Sequence, residues 1–174
     1  MSAFIRSGLV AACLIWCIAA APAAEPGTRL VYGPHPVGFE LVQTADPARA
    51  FPSLDGASFR DRPMRIYIWY PAREAGPAPL TIGDFVGMAV DDFRLSGGPS
   101  AAAGAPLPVP LAKGLDDRER AALLVRPLAA RRGAPAAAGE FPLLVLGQGL
   151  YYESPLSHVY LCEYLASRGY VVAT

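Results

Sequence analysis

The most regular patterning lies at two places in the chain. In "MRIYIWYPA", Ile66, Ile68 and Tyr70 alternate with Arg65, Tyr67 and Trp69 until Pro71 stops the run. That period of two predicts a β-strand. In "FPLLVLG", residues 141–147, the apolar residues do not alternate, as expected of a strand covered on both faces. Beyond it, Leu161, Tyr164 and Leu165 make an apolar stripe at helical spacing, with Val159 and Tyr160 alongside. Ser154 followed by Pro155 suits the start of that helix, because proline at the first position lacks an N–H that would go unpaired. Gly169 suits its left-handed end, and "YVVAT" opens another buried strand. Strand, loop, helix and strand predict a right-handed βαβ unit.

The preceding sequence is less regular. From Arg29 to about Thr44, mixed apolar and polar residues with two prolines predict short antiparallel strands at a sheet edge. "DPARAFPSLDGASFRDRP" reads as turn chemistry. Residues 72–140 are rich in proline, glycine and alanine, and read as a loop-rich, cap-like insertion. One helix stands out there: Asp116 sits at an N-cap position with Glu119 three residues on. Ala121, Leu124, Val125 and Leu128 share a face, and Pro127 ends or kinks the helix.

Composition changes the picture mainly at the N-terminus. The opening "MSAFIRSGLVAACLIWCIAAAPAAEPG" has one arginine, an uncharged run, and Ala21-Pro22-Ala23. This predicts a secretory signal peptide over residues 1–23 and export to the periplasm or the exterior, with no stable membrane span after cleavage. The apolar stretch before Cys13 is short for a lipoprotein site. Residues 24–174 suffice for one modest domain. The formal net charge is zero, which gives no electrostatic basis for nucleic-acid binding. After cleavage Cys162 stands alone, a buried structural thiol without partners for a disulfide or a metal. Asp91-Asp92 and Asp116-Asp117 are neighbours in sequence whose side chains point apart, so they read as helix starts or solvated loops. No metal or other cofactor is expected.

The remaining signal is "GQGLYYESP", which follows the 141–147 strand. In open α/β sheets ligands gather beyond the carboxyl ends of strands, and glycines there let a ligand approach the main chain. The combination of "RIYIWYPA", an apolar strand entering "GQGL", and "LCEYLASRGYVVAT" resembles the front half of an α/β-hydrolase. The closest likeness is to bacterial esterases of the dienelactone-hydrolase and platelet-activating-factor-acetylhydrolase kind. The resemblance implies the N-terminal portion of that fold: edge antiparallel strands, then a βαβ unit of a mostly parallel sheet. It implies a small-molecule or lipid ester or lactone as substrate, and an oxyanion-hole donor at the Leu150 N–H, shaped by Gly147, Gln148 and Gly149. Gln148 stands where these proteins usually carry histidine. Tyr151 and Tyr152 would line the substrate pocket. No G-x-S-x-G elbow occurs in the 174 residues, and His35 and His158 precede the place where the triad is expected. The chain is therefore expected to be an incomplete hydrolase whose triad is encoded downstream. The alternative is an exported, non-catalytic binding or remnant domain holding an apolar ligand at Tyr151-Tyr152.

Overall fold

A computed structural model describes residues 30–52, 58–95, 114–147 and 154–174, and only the backbone of Phe93 and Arg94. The signal-peptide reading of residues 1–23 lies outside these residues. The described residues form a mixed α/β fold with a five-stranded sheet in the order β3-β1-β2-β5-β4. The strands are β1 (Val37–Pro52), β2 (Phe59–Pro71), β3 (Ala130–Arg132), β4 (Leu143–Val145) and β5 (Val171–Ala173). The helices are α1 (Ile82–Leu95), α2 (Asp117–Leu124) and α3 (Val159–Ser167), the last preceded by a 3₁₀ turn over Pro155–His158.

The unit expected at the end of the chain is present. β4 and β5 pair in parallel, Leu144 opposite Val172, with α3 between them in sequence. α3 closes with two linked hydrogen bonds, Gly169 N–H to Ala166 O at 3.1 Å and Tyr170 N–H to Leu165 O at 3.2 Å. This geometry needs a left-handed residue, and Gly169 supplies it at φ +95°. β1 and β2 form the antiparallel pair. With β2–β5 also antiparallel, the sheet is mixed rather than mostly parallel among the described strands.

Four local expectations are corrected. The stretch read as turn chemistry is largely strand: β1 and β2 stay paired from Val37–Pro71 out to Pro52–Phe59, with an irregularity between Asp46 and Ala50. Backbone pairing of this hairpin does not depend on its exposed side chains. β1 is not an edge strand at its start, because Val37–Phe39 also pair in parallel with β3. β4 is not covered on both faces; it ends the described sheet, and Leu143 and Val145 are exposed. α2 carries the expected reciprocal cap between Asp116 and Glu119, yet buries no residue, and Val125 is exposed beyond its end.

α1 is an element that the pattern reading passed over. Its Ile82, Phe85, Val86 and Met88 join Leu156, Val159, Cys162 and Ala166 of the α3 region on one face of the sheet. The sheet meets them with Phe39, Tyr67, Trp69 and Val172. Trp69 lies at the centre, stacked on Phe85 at 5.7 Å and edge-on to Phe39 at 5.2 Å. Burying such rings supplies a large part of the core's stabilisation, by area and by favourable ring geometry.

Candidate functional site

The register defines the chemically interesting side of the sheet. Tyr67 of β2 exchanges backbone hydrogen bonds of 2.9 and 3.0 Å with Thr174, the residue after β5. Residues of β2 before Tyr67 therefore extend past the carboxyl ends of the parallel strands. The chain leaves β4 at that same end through Leu146 and Gly147. Among the described residues, nothing lies within 4 Å of where a Cβ at Gly147 would sit. Gln148, Gly149, Leu150, Tyr151 and Tyr152 lie outside the described residues. Ser154 takes the predicted N-cap position before Pro155 without accepting a cap hydrogen bond. Its Oγ is buried and has no hydrogen-bond partner among the described residues.

A polar cluster that sequence reasoning missed sits at this carboxyl edge. Arg65 lies 3.1 Å from Asp92 through Nε and 3.9 Å from Asp91 through Nη1, and Nη1 donates to Met88 O at 3.3 Å. Asp92 Oδ2 accepts from Tyr67 OH at 2.7 Å. Burial raises the Asp92 carboxyl above its ordinary value, against the lowering pull of Tyr67 and Arg65. The Tyr67 phenol is also raised, first by burial and then by its bond to Asp92. Asp92 is thus neither a helix start nor a solvated loop residue; it closes the end of α1 onto the hairpin. Arg65 and Tyr67, two apart on one strand face, were a visible half of the cluster. Their partner could be found only once α1 was known to pack beside them.

These groups border a cleft of about 220 Å³ lined by Phe51, Arg62, Pro63, Arg65, Tyr67, Asp92 and Leu95. Arg60 stands at its margin, with its guanidinium 5.9 Å from the Phe51 ring and Nη2 donating to Leu95 O at 3.2 Å.

The other candidates are structural. Cys162 is fully buried and its thiol is pushed up to about 12 by burial and by neighbouring Glu163, which suits an inert packing residue. Glu163 is buried on α3 and accepts from Ala130 N–H at 2.7 Å and Tyr32 OH at 2.8 Å. It ties the helix to β3 and to the segment before β1. His35 packs edge-on against Phe141 at 5.6 Å. Among the described residues no three His, Cys, Asp or Glu side chains come together as metal ligands would. Nor is any described helix long and apolar enough to cross a membrane.

No family model and no curated protein matches this chain. Among solved structures, it is similar to a ferulic acid esterase from Streptomyces cinnamoneus at 26% identity and a TM-score of 0.48, over 86% of this chain and 34% of that one. The chain thus spans about a third of that structure's length.

Proposed function

We propose that this chain is the N-terminal portion of an exported serine hydrolase acting on carboxylic ester or lactone bonds of small molecules or lipids. It is similar in kind to the dienelactone-hydrolase-like and platelet-activating-factor-acetylhydrolase-like esterases. One observation carries the reading: β4 runs beside β5 in parallel and delivers Gly147, clear of the other described residues, to the carboxyl edge, directly before "QGLYYE". Ligands of open α/β sheets bind at such an edge, and main-chain N–H groups there suit an oxyanion. In this scheme the Leu150 N–H donates to the oxygen that becomes negative when a serine adds to the carbonyl carbon. A preorganised donor of that kind is worth about 2.7–4 kcal/mol of barrier. Tyr151 and Tyr152, in the same scheme, border the acyl or alcohol group. Of residues 72–140, read from sequence as a cap, α1 and β3 belong instead to the core and the sheet. No G-x-S-x-G occurs in the 174 residues, so this reading takes the attacking serine, and with it the Asp and His that follow in this fold's order, to be encoded downstream.

Translation of the DNA past the codon for Thr174 is expected to give a G-x-S-x-G followed by Asp and then His. The longer product should hydrolyse p-nitrophenyl esters and be silenced by a serine-directed phosphonate. The 174-residue chain should not turn those esters over above background. A reading frame without the serine motif, or phosphonate-sensitive turnover by these residues alone, would sink the assignment.

A further inference from the structure

We infer that the cleft between the far arm of the β1–β2 hairpin and the end of α1 binds a small organic carboxylate with a flat apolar body. This goes beyond the proposed hydrolase reading and does not rest on it, since binding there requires no acyl transfer.

The charge arrangement selects the sign of the ligand. Among the described residues, Arg62 and Arg65 line the cleft with one carboxylate, Asp92, and Arg60 stands at its margin. Asp92 Oδ2 accepts from Tyr67 OH at 2.7 Å, and Oδ1 is ion-paired with Arg65 Nε at 3.1 Å, a contact without hydrogen-bond alignment. Its negative charge is therefore spent on the cleft floor rather than offered to a ligand. Arg65 is held in turn by Asp92, Asp91 and the Met88 carbonyl. Arg62 differs. The residue opposite it across the hairpin, Asp46, is taken by Arg49 at 3.2 Å and by the Ala48 N–H at 2.9 Å. Among the described residues no carboxylate is ion-paired with Arg62, which is exposed and belongs to the lining of the cleft. A guanidinium so placed matches a carboxylate fork, and such charge-assisted pairs are roughly twice as strong as neutral hydrogen bonds.

The apolar lining selects the rest of the ligand. Phe51, Pro63 and Leu95 supply the apolar part of the lining, and Phe51 already holds Arg60 near its ring. A planar body can lie on Phe51 while its carboxylate reaches Arg62. The volume of about 220 Å³ is below the roughly 300–1,000 Å³ typical of sites for drug-sized ligands, so the occupant is compact.

Isothermal titration of the full chain with sodium benzoate, and separately with benzamide, tests this. Benzoate is expected to bind saturably and about tenfold more tightly than its uncharged analogue. Arg62→Ala should remove most of that preference, Arg62→Lys should restore part of it, and Phe51→Ala should weaken both probes. Arg62 is exposed, so an unchanged melting temperature should show that its variants remain folded. Absence of saturable benzoate binding, equal binding of benzamide, or indifference to Arg62→Ala would overturn the inference. Each of these outcomes leaves the ester-hydrolysis reading to its own test.

Discussion

At the scale of single residues, the most consequential group outside the proposed sites is Glu163. It is buried, and its carboxylate is shared by two donors, Ala130 N–H and Tyr32 OH. Desolvation raises its pKa, only partly offset by those hydrogen bonds. The sign of the linkage follows. A carboxyl raised in the folded state holds its proton to higher pH there than in the unfolded chain. Its contribution is most favourable below the ordinary carboxylate pKa and is lost as pH rises from that range through the raised value. Glu163→Gln keeps the shape but turns an NH₂ toward one donor, a loss of about 1–3 kcal/mol. Melting curves across pH should show the wild type's advantage over the glutamine variant shrinking through that window. A constant or growing advantage would mean that hydrogen bonding, not burial, dominates this group. Trp69 offers a contrast: its Nε1 is buried without a partner among the described residues, a polar cost borne within the central aromatic cluster.

At the scale of elements, the end of α3 offers a clean test of local chemistry. A Cβ at Gly169 would meet the Phe141 ring no closer than 3.7 Å, so Gly169→Ala is strained by backbone alone. The left-handed conformation should cost the variant about 1–2 kcal/mol, read as a lower denaturant midpoint with an unchanged slope. A null result would place the strain elsewhere. The same helix was legible in the sequence from its end at Gly169 and its approach through Ser154-Pro155, but its packing face was not. Leu161 of the expected stripe is exposed, and α3 instead buries Val159, Cys162, Glu163, Ala166 and Ser167. α1 was equally available: Ile82, Phe85, Val86 and Ala89 have helical spacing, and Thr81 and Asp84 cap each other at 2.7 and 3.2 Å. The proline- and glycine-rich segments on either side concealed it. α2 shows the converse, a strong cap on a helix that buries nothing, because capping fixes where a helix starts and not what it packs against. The hairpin arm beyond Asp46 was hidden for another reason: its pairing lies in the main chain, and its mostly exposed, proline-interrupted side chains show no alternation. The Arg65–Tyr67–Asp92 cluster joins residues 25 apart, Tyr67 and Asp92, across two elements, and no spacing rule reaches that far.

At the scale of the whole molecule, the two faces of the sheet differ. α1 and α3 cover the side bearing Phe39, Tyr67, Trp69 and Val172. On the other side, Leu143 and Val145 of β4 are 61% and 73% exposed, and by register they adjoin Val171 and Ala173, which reach Ile68 of β2. β4 is also the outermost strand of the described sheet on that side. An apolar strand with one free edge is a template for pairing with another chain, and a charge on such a strand is the usual defence. Val145→Lys should therefore move the 174-residue chain from large species toward monomer in size-exclusion chromatography, with little change in melting temperature. Leu144→Lys is the control: Leu144 is half-buried and lies opposite fully buried Val172, so the same charge there should unfold the domain. If Val145→Lys self-associates as the parent does, association runs through some other surface. If the parent is already monomeric, the exposed face of β4 is tolerated as it stands, and charge on it has nothing to suppress.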